Sequence, residues 1–244
     1  MTVYNPLIIK YLKLGMKKFN LKFNRLKELI IQEENEANHN YERAINNILA
    51  GEKYSTLNLV KRESGGLITK EILLSLLDEE IKRKDIVRIE NILFYVNYLK
   101  FRLEKETVEK IKEISTEEKI LKLLELNQEK DEKVKNAEKY FEEGHVYAAY
   151  LEYRFAGNLN DEILSKIINR LEEQKQLFDL ANILDLENKD ISEERLKEFG
   201  DIALEKENTV ALFYFYKLDS KEEFVKSIKK FFPLLVNEGV ENEN

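Results

Sequence analysis

The only two histidines of this 244-residue chain each stand three residues after a glutamate, as Glu36-x-x-His39 and Glu142-x-x-His145. On a helix, that spacing puts carboxylate and imidazole on one face. Di-iron carboxylate proteins use two such pairs, with two further glutamates, inside a four-helix bundle. A di-iron centre is therefore the metal chemistry these residue types would allow. The surrounding residues read against it. Gly144 interrupts the second pair, and the first lies in the polar run EENEANHN, so both read as turns between helices. No other cofactor is indicated. With no cysteine, two histidines and no G-x-S-x-G, a nucleophile and its base have little to be built from. The lone glycine pair, in SGGLITKE, lacks the P-loop spacing and reads as a plain turn. The expectation is a protein that is not an enzyme.

Charge is distributed unevenly. Residues 1–27 hold Lys10, Lys13, Lys17, Lys18, Lys22, Arg25 and Lys27 and no acid. The chain as a whole is −7, so the remainder carries twice the net negative charge of the whole. Lys10, Lys13 and Lys17 share one helical face, and Lys18, Lys22 and Arg25 make a second row. Leu7, Ile8, Tyr11, Leu12, Phe19 and Phe23 would face the other way. A basic amphipathic segment of this kind suits an acidic protein partner, a membrane surface or nucleic acid. Nucleic acid is disfavoured, because the acidic remainder would repel a long polyanion. The plainer reading is a first hairpin with solvated lysines and with aromatics packed on hairpin two.

The elements that must carry these residues are helices. Glycine (8) and proline (2) are too scarce for a sheet-rich fold, and Lys, Glu and Leu are strong helix formers. No apolar stretch is long enough to span a bilayer. The N-terminal apolar run is broken by Lys10 and Lys13, unlike a secretory signal. With no cysteine, the default expectation is cytoplasmic.

A helical hairpin recurs about every 31 residues. Its second helix is entered at Leu26, Thr56, Ile89, Ile120, Ala149, Ala181 and Ala211, spaced 30, 33, 31, 29, 32 and 30 residues apart. Seven hairpins are expected, at 6–33, 36–64, 67–103, 105–128, 130–157, 161–187 and 192–218, with a capping helix at 221–236. Ser192, Thr116 and Asp219-Ser220 read as helix starts. Residues 1–236 form a single array with a possible hinge near 63–66, and 237–244 an acidic, disordered tail. Aromatic residues cluster in second helices: Phe94, Tyr95, Tyr98 and Phe101; Tyr147, Tyr150, Tyr153 and Phe155; Phe213, Tyr214, Phe215 and Tyr216. The run ALFYFY (211–216) is apolar or aromatic all round. It is expected to be buried on every side, or else to serve a partner or self-association.

Residues 130–157 resemble a tetratricopeptide repeat: Tyr140, Gly144, Ala149, Tyr153 and Ala156 fall at that pattern's spacings, and Gly200, Ala203 and Ala211 follow it less closely. There is no Trp, and no proline closes a repeat. The resemblance implies a superhelix of hairpins, an α-solenoid, that binds a protein or peptide in a groove lined by first helices. Glu138, Phe141 and Glu142 would then line one repeat, and Lys166, Arg170 and Glu173 the next. The leading expectation is an all-α solenoid acting as a scaffold or adaptor. A di-iron carboxylate protein and an anionic-surface binder acting through residues 1–27 are the alternatives.

Overall fold

A computed structural model describes residues 5–52, 68 and 70–236. Among them every regular element is an α-helix, and there are fourteen. They are α1 (Pro6–Lys18), α2 (Asn24–Ala50), α3 (Lys70–Arg83), α4 (Ile86–Tyr98), α5 (Lys105–Ile114), α6 (Glu118–Gln128), α7 (Asp131–Glu142), α8 (Val146–Phe155), α9 (Asp161–Glu173), α10 (Leu177–Leu186), α11 (Glu193–Glu205), α12 (Ala211–Lys217), α13 (Lys221–Phe231) and α14 (Pro233–Val236). Helices pair with neighbours: α3 packs on α4, α7 on α8, α11 on α12, and α12 on α13. Of the seven expected entry positions, Leu26, Ile89, Ile120, Ala149, Ala181 and Ala211 are fully buried. Thr56, the expected hinge at 63–66 and the tail 237–244 lie outside the described residues.

Three expectations are corrected. The break expected between residues 33 and 36 does not exist, because α2 runs unbroken for 27 residues. The run QEENEANHNYER is polar but contains no glycine or proline, so nothing stops the helix. Buried positions keep helical spacing on both sides of it, at Leu26, Ile30 and Glu33, then at Ala44 and Ile48. The capping helix is interrupted at Phe232, and Pro233 starts the separate turn α14, since its ring fits only the first turn of a helix. Thr116 is not a cap: α6 starts from Glu117, whereas Ser192 caps α11, its Oγ accepting from the Arg195 N–H.

One device closes ten of these helices. Asn20, Gly51, Lys84, Lys100, Gly144, Gly157, Lys175, Asn188, Glu207 and Asp219 all have positive φ. After each, the next residue's N–H reaches back to the carbonyl five positions earlier, as in Asp85 to Glu80 (3.1 Å) and His145 to Tyr140 (2.8 Å). This is the Schellman closure, which satisfies carbonyls that a helix end leaves without partners. After Lys84, Gly144 and Lys175 the very next residue is the N-cap of the following helix, so these turns are as short as the closure permits.

The described residues form two compact units, one of residues 1–39 and 171–244, the other of 40–170, with the divisions inside α2 and α9. In the first, α12 is enclosed. Ala211, Leu212, Phe213, Tyr214 and Phe215 have no exposed surface. The Tyr214 hydroxyl donates to the Leu177 carbonyl at 2.7 Å, which spares that group an unpaired burial. Helices α11 and α13 cover two sides of α12, and α1 covers another. The Tyr11 ring meets Phe213 edge-on at 4.8 Å and Tyr216 at 5.0 Å. The second half of the expected hairpin two, from residue 53, lies outside the described residues, and the aromatics of α1 pack on the C-terminal helices. The reason is apolar demand: α12 would otherwise show water a side with no polar residue. Glycine permits the close approaches. Phe224 lies where a Cβ on Gly15 would stand, and Phe215 Cε1 would be 2.5 Å from a Cβ on Gly200.

In the second unit, α4 and α6 pack together, and Leu73, Leu77, Ile89, Ile92, Leu93, Tyr95, Val96, Ile111, Ile120 and Leu124 make one core.

Two outcomes follow from these contacts. Gly15→Ala brings a methyl into the Phe224 ring. Overpacking costs about 1–3 kcal/mol and the helix-propensity gain returns at most about 1 kcal/mol, so the denaturant midpoint is expected to fall. Lys84 is exposed and held at φ 56°. Lys84→Gly relieves that conformation, and its expected effect in equilibrium unfolding is a gain of about 0.5–1 kcal/mol.

Candidate protein-binding site

The hairpin of α7 and α8 is closed at Gly144, φ 84°, where a side chain would be strained. Ala149 and Ala156 are buried, and the two helices approach closely there. On α7, Glu138 and Glu142 stand four residues apart and both are exposed, so they share one face. Tyr153, on α8, is half-buried. Its hydroxyl proton is held more tightly than usual, first by burial and then by the charge of Glu138 and, less strongly, Glu142, while Lys166 opposes them. Glu138, Glu142, Tyr153 and Lys166 are thus brought together from three successive helices. Lys166 itself donates to Glu162 at 2.6 Å on α9. Phe141 is half-buried beside this group, and Arg170 and Glu173 are exposed further along α9. Two carboxylates one helical turn apart repel mildly when neither has a cation, which costs a few tenths of a kcal/mol. A cationic side chain docked over Tyr153 would remove that cost and gain a cation–π contact.

The same unit holds a polar junction that sequence reading did not anticipate. Asn127 is fully buried near the end of α6. Its amide donates to Asn97 Oδ1 (2.8 Å) and to the Phe101 carbonyl (2.9 Å), and its oxygen accepts from the Leu103 N–H (2.9 Å) and from Gln128 Nε2 (3.0 Å). One amide therefore fixes the α4–α5 connection onto α6. Arg102, in that connection, donates to the carbonyls of Phe155, Ala156 and Gln128, so its charge sits on the C-terminal ends of α8 and α6. Gly157 makes room for it: a Cβ there would be 3.2 Å from Arg102 Cδ. Buried Lys133 donates to the Leu126 and Glu129 carbonyls and lies 4.4 Å above the Phe155 ring. Burial lowers its affinity for the proton, and Glu129 partly offsets this. Lys100 and Glu152 form a further ion pair, with Glu152 buried. A signal for the junction was present: Asn127 falls on the buried stripe of Ile120 and Leu124, where an apolar residue is expected.

The basic N-terminal set is divided by the fold. Helix α1 ends at Lys18, and Asn20 turns the chain, so Lys18 does not share a helical row with Lys22 and Arg25 as the sequence reading expected. Lys10 pairs with Asp185 at 2.7 Å and Lys18 with Asp219 at 2.8 Å, both on the C-terminal side of the same unit, and Lys13 pairs with Glu34. Tyr11 also donates to Asp185, at 2.6 Å. Lys17, Lys22, Arg25 and Lys27 are exposed. Part of the basic face therefore serves to seat α1.

Of the two E-x-x-H pairs, Glu36 and His39 lie within α2, contrary to the turn expected there, with the spacing that places them on one helical face. Glu142 ends α7 and His145 is the N-cap of α8 across the Gly144 turn, so that pair shares no helix face. Among the described residues no three His, Asp or Glu side chains are grouped as a metal site requires. The di-iron reading thus has no ligand set there. No described helix is long and apolar enough to cross a membrane. No protein-family model, curated protein or solved structure matches the chain.

Asn127→Asp keeps the shape of the junction but replaces two donors with carboxylate oxygens facing Asn97 Oδ1 and the Phe101 carbonyl. A destabilisation of about 2–4 kcal/mol in chemical unfolding is expected.

Proposed function

We propose that the chain is a non-enzymatic scaffold, an array of helical hairpins that holds a protein or peptide against the face built by α7, α8 and α9. The observation that carries this reading is the convergence on Tyr153 of Glu138, Glu142 and Lys166 from flanking helices. Exposed carboxylates, an amphipathic aromatic ring and a lysine on adjoining helices suit a partner of mixed charge: the carboxylates take its cations, Lys166 an acidic group, and Phe141 and Tyr153 its apolar contacts. An array of hairpins suits such a role because each hairpin adds one short stretch of surface to an extended binding face.

The experiment is affinity capture on the full chain at low and high salt, read by mass spectrometry. It compares wild type with a Tyr153→Ala, Glu138→Gln, Glu142→Gln variant, all three substitutions lying at exposed or half-exposed positions. The expected result is a partner retained by wild type at low salt, weakened at high salt and lost from the variant. Equal retention by the variant would overturn the site, and capture of nothing specific by wild type would overturn the reading.

A further inference from the structure

The second unit also holds a cleft of about 420 Å³ where the α4–α5 connection meets the ends of α6 and α8, lined by Arg102, Leu103, Glu104, Lys105, Gln128, Arg154 and Gly157. That volume lies within the range that accepts a small molecule, roughly 300–1,000 Å³. Its charge is opposite in sign to that of the chain: three cations line it with one carboxylate, on a protein of net charge −7. Arg102 is held in place. Three of its contacts go to main-chain carbonyls, and a guanidinium has five N–H donors, so it neutralises those carbonyl ends and keeps donors for a further acceptor. Its plane is fixed by Gly157 beneath it, and its position by the hydrogen bonds of Asn127 and Gln128 to the same connection. The guanidinium of Arg102, the exposed ammonium of Lys105 and the guanidinium of Arg154 line one cleft, and cations of these types are the donors that bind oxyanions well.

We infer that this cleft binds a small polyanion through its oxyanion groups, carboxylate or phosphate, held by Arg102, Lys105 and Arg154. The site is separate from the Tyr153 face and stands whether or not that face holds a partner. Glu104 at the rim disfavours a long continuous polyanion and leaves room for a compact one.

Isothermal titration of the full chain with citrate and with pyrophosphate, at ionic strength held constant by sodium chloride, tests this. One of the two is expected to bind saturably at a single site, with Kd below about 1 mM. Lys105→Ala with Arg154→Ala is expected to weaken it at least about tenfold, while the charge-matched control Lys119→Ala with Lys122→Ala leaves it within about twofold. The anion that binds identifies the source, citrate for carboxylate and pyrophosphate for phosphate. No saturable binding of either by wild type, or equal loss in both double variants, would overturn the assignment.

Discussion

Every helix that ends inside a packed fold leaves carbonyl groups that must find donors, and a chain of fourteen described helices meets this problem repeatedly. Its solution is uniform. Ten helices end on a residue of positive φ whose successor donates back five positions, which closes the end with the backbone's own N–H groups. The closure needs no side chain, so it tolerates Lys, Glu, Asp and Asn as well as Gly. It also sets how soon the next helix can begin, and after Lys84, Gly144 and Lys175 that is at once. The close packing of α3 on α4 and of α7 on α8 depends on turns this short.

In the unit of residues 1–39 and 171–244, the second constraint is the all-round apolarity of α12. A helix with no polar side is stable only when covered everywhere. The cover comes from α11, α13 and the chain's own first helix. Full burial of Phe213, Tyr214 and Phe215 contributes roughly 1.5–3 kcal/mol for each side chain, far more than the exposed pairs Lys10–Asp185 and Lys18–Asp219 supply. The apolar face of α1 therefore sets the affinity of that contact. The ion pairs and the Tyr11–Asp185 hydrogen bond set its register along the helix.

Composition and periodicity made the helices readable, and where the sequence reading was right it rested on strong local physics. The scarcity of glycine and proline excluded sheets. Ser192 with two glutamates behind it marked a helix start, and the all-round apolarity of ALFYFY favoured burial, which Ala211 to Phe215 show. The errors have physical causes too. A polar run was taken for a turn, although Glu, Ala and Asn are all compatible with a helix, and so α2 was divided. The placement of α1 on α12 was not legible, because it depends on a contact between residues some 200 positions apart that no periodicity encodes. Asn20, Asn188 and Asp219 are of types that favour positive φ, but Lys84, Lys100, Lys175 and Glu207 gave no compositional signal and are held there by their neighbours. Of the candidate site, Glu138, Glu142 and Lys166 were singled out in the sequence, but their meeting at Tyr153 was not. Asn127 left one sign, a polar residue on the apolar stripe of Ile120 and Leu124, but the four groups it meets come from residues that no periodicity relates to it.

That contrast bears on function. Several polar groups of the second unit hold helices together: buried Asn127 and half-buried Arg102 bind main-chain groups, buried Lys133 bonds to carbonyls and buried Glu152 pairs with Lys100. Other polar groups stand at the surface in arrangements with a local electrostatic cost, such as the two carboxylates one turn apart beside Tyr153. Local costs that the fold does not need tend to mark the places where a protein meets something else. In this chain that reasoning is one support for the proposal made of the α7–α9 face.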